Sequence, residues 1–211
     1  MSRAAPCVAA IVLAAGASSR TAPAHKLLAP DATGLPMIAR TLRAVAACRA
    51  DPLVIVFGHR STEIQAAALR GIPPERMPLC ISARDHEAGL SRTLAAGMAV
   101  AAQHDVAGTL ICLGDMPLIS STLLDRMIAA FAAHPACPGV MPVHAGRRGN
   151  PILWSRRLFP ALMTQAGDRG ARALLDRYGA DMPQVAAGPE ITEDFDTPAR
   201  LAEYARLFAG G

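Results

Sequence analysis

The residues best suited to chemistry lie where apolar runs give way to small or charged side chains. "VAAIVL" (8–13) leads into Gly16, two serines and two cations, Arg20 and Lys26. Small residues let a backbone approach a phosphate closely, its N–H groups can face the oxygens, and the cations neutralise the charge. "GTLICLGD" (108–115) ends on Asp115, a carboxylate at a strand exit. There it can hold a divalent cation against a polyphosphate, because Mg²⁺ prefers one or two carboxylates plus phosphate oxygens. The competing role, capping the next helix, is served by Ser120 and Ser121. A second acidic group, "EDFDTPARL" (193–201), carries Asp194 and Asp196. As alternate residues of a short strand they should face opposite ways. One is then left to share a metal with Asp115, and the other is solvated or caps a helix.

The opening stretch, "VAAIVLAAGASSRTAPAHKLL" (8–28), also has the look of an export signal, with Arg3 ahead of an apolar core and Ala-x-Ala-like sites. Three features oppose that reading. Ser18 to Lys26 is patterned like a ligand loop, the chain otherwise lacks a first strand, and five cysteines are an odd number for a disulfide framework. The expectation is a strand and phosphate loop in a cytoplasmic protein. The spacings G-x-x-x-x-G-K-[ST] and G-x-G-x-x-G are absent, which disfavours a Walker NTPase and a standard dinucleotide dehydrogenase.

Elements that could position these residues follow from periodicity. "LVIVFG" (53–58), the weaker "MPLCIS" (77–82), "GVMPV" and "NPILW" read as further strands, the last two separated by the polar turn "HAGRRG". Ile38, Leu42 and Val45 recur at helical spacing, as do Leu90, Leu94 and Met98, and Leu124, Met127, Ile128 and Phe131. "STEIQAAAL" reads as a helix capped by Ser61 or Thr62, and others are expected over 155–163, over 168–178 with Asp168 as cap, and after Pro198. The alternation predicts a single doubly wound α/β domain over 1–211 with a mixed sheet, whose ligands gather at the carboxyl ends of the strands.

Composition sets bounds. The chain has 211 residues, 52% of them hydrophobic and 18% charged, enough for a substantial core and unlike a disordered chain. No apolar run approaches the roughly 20 residues needed to cross a bilayer. The net charge of +4 is not gathered into a basic stripe, so a nucleic-acid or membrane partner is not expected, while anionic small molecules suit it. Cys7, Cys48, Cys80, Cys112 and Cys137 form no C-x-x-C pair and read as reduced, mostly buried thiols.

In order along nearly the whole chain, "LAAGASSR", "HKLL", "AGLSRTL", "LGDMPLI", "RRGNPIL" and "DFDTPARL" resemble the motifs of the MobA-like nucleotidyltransferases. The resemblance implies a Rossmann-like, glycosyltransferase-A-like fold with a mixed, mostly parallel sheet, and a Mg²⁺-dependent enzyme. It implies that Leu13, Ala14, Ala15, Gly16 and Ser18 wrap the nucleotide, that Arg20 and Lys26 meet its triphosphate, and that Gly89, Leu90 and Ser91 read the base. Asp115 and, in the D-T-P context, Asp196 match the family's metal carboxylates. Arg20, Lys26 and Asp115 are then the catalytic set.

The L-A-A-G form of the loop is similar to that of the cytidylyl members, and a methyl at Ala15 should crowd a purine. The implied reaction moves CMP from CTP to a phosphorylated acceptor, the molybdenum cofactor (molybdopterin), for delivery to a molybdoenzyme or its chaperone. The alternatives are guanylyl transfer from GTP, another phosphorylated acceptor, or a non-catalytic cofactor-binding chaperone. On the acceptor side Arg147 and Arg148 stand on a turn that either holds an anionic pterin phosphate, with Asn150 alongside, or is an ordinary solvated hairpin; Asn150 stands where many relatives carry His. The family's Arg-Met-Gly is here Arg20-Thr21-Ala22. If that glycine needs positive φ, Ala22 strains the loop by about 1 kcal/mol.

Overall fold

The seven residues of β1 (Val8–Ala14) are all buried, as a strand covered on both faces requires. β1 runs through the middle of an eight-stranded sheet. The computed structural model describes residues 6–83, 89–164 and 170–209. β2 (Leu53–Phe57) and β4 (Gly108–Leu113) flank β1 in parallel, and β3 (Leu79–Ser82) forms the edge beyond β2. On the other side β7 (Ile152–Ser155) pairs antiparallel with β4, and β5 (Gly139–His144) antiparallel with β7. β5 also carries a strand that lies off the main path. Its second half pairs in parallel with β8 (Gln184–Ala186), and its end pairs with β6 (Arg147–Arg148). The connecting turn places Ala145 and Gly146 at positive φ, the geometry of a tight hairpin.

Alternate residues of β1 feed two separate cores. Ala10, Val12 and Ala14 pack with side chains of α1 (Met37–Ala46), α2 (Ser61–Ala68) and α4 (Ser121–Ala133). Ala9, Ile11 and Leu13 pack with those of α3 (Leu90–Ala101), α5 (Phe159–Thr164) and α6 (Gly170–Tyr178). α3 lies close against the sheet because Gly97 has no side chain; a Cβ there would sit 2.7 Å from Ile11 Cγ2. A third, smaller cluster forms around α7 (Pro198–Tyr204). The sheet is therefore mixed and mostly parallel, with helices on both faces. No helix among the described residues is long and apolar enough to cross a membrane.

Several expectations need correction. The helix read over 155–163 starts late, because Ser155 still belongs to β7 and Arg156 ties the following turn to the carbonyls of Ala102, His104 and Val106. Neither Ser61 nor Thr62 caps α2; Arg60, at φ 50°, precedes it without a side-chain cap bond. Ser120 does cap α4, accepting from Leu123 N at 3.2 Å. Asp168 lies outside the described residues. Cys48, Cys112 and Cys137 are buried, while Cys7 and Cys80 are exposed. Burial pushes the Cys48 thiol up to about 11, which leaves it unreactive at neutral pH.

Candidate active site

The carboxyl ends of the central strands emerge at one level. Leu13 pairs with Leu113 and Ala14 with Phe57, so the loops after β1, β2 and β4 leave the sheet side by side. Gly114 N donates to Leu13 O at 2.9 Å, and a Cβ on Gly114 would lie 2.9 Å from Ile38 Cδ1. That close fit sets Asp115 directly beside the first loop.

The first loop is held from within. Ser18 adopts the left-handed conformation (φ 52°, ψ 38°) and leads into a short 3₁₀ turn at Ser19–Thr21. The buried Thr21 hydroxyl is 3.0 Å from Ser18 O and 2.9 Å from Ala24 O. His25 Nε2 donates to Gly16 O at 3.0 Å, its Nδ1 lies 3.3 Å from Ser18 Oγ, and its ring stacks on His59. The His59 N–H in turn donates to Ala15 O at 3.3 Å. Ala15 is buried. The strain expected at Ala22 is absent, because Ala22 sits at φ −54° and ψ 142°, the extended geometry favoured before a proline. The positive φ falls at Ser18 instead.

Lys26 reaches across from this loop to both acidic segments. Its Nζ donates to Asp115 Oδ2 at 2.5 Å and to Asp196 Oδ1, while Arg20 Nη1 pairs with Asp196 Oδ2 at 2.8 Å. The Lys26, Asp115 and Asp196 side chains are only 17%, 22% and 25% exposed, whereas Arg20 is 74% exposed. Burial works against the Lys26 ammonium, but the two carboxylates outweigh it and hold its pKa above the usual value. Burial likewise opposes the Asp196 charge, yet Lys26, the Asp194 hydrogen bond and Arg20 hold that carboxyl below the usual range. Asp194 goes the other way, raised by burial and then by the charge and hydrogen bond of Asp196.

Asp194 and Asp196 therefore do not face opposite sides. No strand forms over 193–196, and both aspartates line one cavity. Strand alternation does not apply here because the segment is pinned by its flanks. Phe195 is buried, and Arg200 of α7 donates to Asp194 O at 3.0 Å and pairs with Glu193 and Glu203. Thr197 caps α7, accepting from Arg200 N at 3.3 Å.

Two cavities meet at this cluster. One, of about 200 Å³, is lined by Leu13, Gly16, Ser18, Lys26, Leu90 and Asp115. The other, of about 250 Å³, is lined by Asp115, Met116, Asn150, Thr192, Asp194 and Asp196. Gly89, at φ 101°, opens α3 and leaves Leu90 49% exposed at the first cavity, while Ser91 is buried in the first turn. Asn150 N donates to Ile191 O at 3.0 Å, which fixes it at the second cavity. Arg147 and Arg148 are exposed on β6 and line neither cavity, and the Arg148 guanidinium lies over Gly179. Sequence reasoning missed the shared role of Asp194 and the loop-holding His25. One available signal was that Lys26 is the single lysine among 21 basic residues.

Among the described residues, no group of three or more His, Cys, Asp or Glu side chains is arranged as a metal site. The arrangement present is two carboxylates already closed around a cation, the Lys26 ammonium. Both carboxylates also line one cavity, and a pair of hard oxygen donors is a donor set that suits Mg²⁺.

A family model for the MobA-like NTP transferase domain matches residues 10–182, and the chain belongs to that family. The bifunctional protein GlmU of Kineococcus radiotolerans is 31% identical over 126 residues, 59% of this chain but only 25% of that protein. Nicotine blue oxidoreductase of Paenarthrobacter nicotinovorans is 28% identical over 202 residues, 93% of this chain and 95% of that protein. The chain thus spans a quarter of the GlmU relative and nearly all of the second. Among solved structures, Rv0371c of Mycobacterium tuberculosis H37Rv superposes with a TM-score of 0.78 at 23% identity, covering 96% of this chain and 99% of that one. Its manganese complex gives 0.70 at 25% identity, covering 93% and 98%. CMP:2-keto-3-deoxy-manno-octonic acid synthetase complexed with CTP gives 0.68 at 16% identity, covering 93% and 96%.

Proposed function

We propose that the protein transfers CMP from CTP to the terminal phosphate of molybdopterin, releasing pyrophosphate. The observation that carries this reading is the Lys26–Asp115–Asp196 cluster at the junction of two cavities, one floored by the Gly16–Ser18 loop and the other holding Asn150. The family supports nucleotidyl transfer; the choice of CTP rests on the L-A-A-G sequence of the loop, since Ala15 itself is buried and lines neither cavity.

In this reading the loop wraps the triphosphate, and Arg20 and Lys26 neutralise its charge. An acceptor phosphate oxygen attacks the α-phosphorus, the new P–O bond forms, and the α–β anhydride bond breaks. A phosphate nucleophile is already ionised at neutral pH, so positioning and charge neutralisation carry the rate. Asp115 and Asp196, with Asp194 alongside, would hold Mg²⁺. Bound there, the ion supplies charge neutralisation at the triphosphate oxygens. Asn150 orients the acceptor in the second cavity.

Pyrophosphate release from CTP and from GTP, each with Mg²⁺ and molybdopterin, tests the proposal. Release from CTP with formation of the cytosine dinucleotide is expected. Release from GTP alone would move the assignment to guanylyl transfer, and release with neither would overturn it. Redox chemistry is a second reading, favoured by the name of the near-full-length relative, although the G-x-G-x-x-G loop is absent. Consumption of NADH or NADPH in a substrate-dependent assay would establish it.

A further inference from the structure

We propose that Phe195 is a positioning residue, whose buried ring sets the distance of Asp194 and Asp196 from Asp115 and Lys26. The inference rests on the proposed nucleotidyl transfer only for its consequence, not for its geometry.

The third hydrophobic cluster is built on Met37, Phe195 and Tyr204, with Ala29 and Leu118 packed against it. Three of the chain segments entering it carry members of the charged cluster. Ala29 follows Lys26 by three residues, Leu118 follows Asp115 by three, and Phe195 separates Asp194 from Asp196. No β-ladder holds the 193–196 segment, so its register depends on side-chain anchoring. Phe195 meets Tyr204 edge-to-face, with centroids 5.3 Å apart, and the Arg200 guanidinium stands 5.2 Å from the centre of the Phe195 ring. Met37 is tied to the lysine segment by its own N–H, which donates to Ala29 O at 2.9 Å. A ring held between these elements fixes how far the two aspartates can move. Shrinking it lets the segment drift, and Lys26 loses one carboxylate while the other stays.

The test compares Phe195→Ala and Phe195→Leu with Phe131→Ala, a core control far from the site. Mn²⁺ affinity by calorimetry and melting temperature are measured for each. A third readout is the labelling rate of the amine at Lys26, the only lysine, by an acylating reagent and mass spectrometry. Both Phe195 variants should weaken Mn²⁺ binding, the alanine by on the order of 10- to 100-fold, as is typical when the support of a ligand is lost. Lys26 labelling should rise in parallel. Phe131→Ala should lower the melting temperature and leave both values unchanged. The proposal is overturned if the Phe195 variants keep wild-type values, or if Phe131→Ala shifts them equally. Phe195→Leu carries the test if the alanine variant does not fold. If the wild type lacks CTP turnover but Lys26 labelling still responds to Phe195, nucleotidyl transfer fails and the positioning role stands.

Discussion

Lys26 Nζ lies 2.5 Å from Asp115 Oδ2, although 89 positions separate the two residues. Both are largely buried, and the Asp196 carboxylate completes the cage. The first prediction follows from that cage. Asp115→Asn keeps the shape of the side chain but removes the negative charge that would hold Mg²⁺, so the anionic transition state loses the cation that would offset its charge. Turnover should fall by on the order of 10²–10³-fold. Circular dichroism should stay at the wild-type spectrum, and full activity in the variant would sink the assignment of Asp115 to the reaction.

Lys26→Arg tests why this position alone carries lysine in a chain otherwise rich in arginine. An ammonium is a compact point charge that can sit between two carboxylates; a guanidinium is a planar fork that pairs with one of them along its edge. Arginine here should therefore push Asp196 away from Asp115. The expected result is a drop in kcat/KM for the nucleotide of about tenfold or more, near the size of one lost charged contact. Steady-state kinetics of the variant would show it, and unchanged kinetics would mean that only the charge matters.

Much of this architecture can be read from sequence, and the misses share a cause. β1 and β4 stand out because a strand buried on both faces is a continuous apolar run, and their exits point to Gly16 and Asp115. β6 and β8 are two and three residues long, too short to display a period. Strand alternation places Asp194 and Asp196 on opposite faces, but Phe195 and Arg200 hold that segment as coil. At Ala22 the family's glycine suggests positive φ, whereas the following Pro23 already dictates extended backbone. In both cases a side-chain or neighbour effect overrode the local pattern.

Ala22→Gly gives that last point a test. Since Ala22 is not in the left-handed region, glycine relieves no strain there and only enlarges the freedom of the unfolded chain. The variant should lose about 0.5–1 kcal/mol of stability in denaturant melts. Nucleotide affinity should not improve. A gain in affinity would show that the loop needs a conformation Ala22 resists.

Asp31 and Arg40 predict acid sensitivity remote from the chemistry. Burial opposes the Asp31 charge, but Thr33, Arg40 and the Leu35 N–H outweigh it and hold the carboxyl below its usual range. Its stabilisation is therefore complete above the unfolded-state value of about 3.9 and is lost as pH falls through the lower folded value. Asp31→Asn should cost about 2 kcal/mol at neutral pH, as for a hydrogen bond to a charged group. The gap between variant and wild type should close in melts at pH values below the carboxylate range. A constant gap would mean that shape rather than charge is responsible.

His25 predicts a second pH effect with the opposite chemistry. Burial lowers its pKa, and the charges of Arg60, His59 and Lys26 add to that, against the opposing hydrogen bond to Gly16. The folded protein therefore keeps His25 neutral where the unfolded chain, with a pKa of about 6.5, takes up a proton. The stability it contributes is complete above that pH and declines as pH falls toward the folded value. Because His25 holds Gly16 O and lies beside Ser18, the first region to suffer should be the loop that floors the first cavity. Melting temperatures measured from about pH 8 down to about pH 5 should fall more steeply for wild type than for His25→Gln, which can still donate to Gly16 but cannot titrate in that range. Parallel profiles would place the acid sensitivity elsewhere.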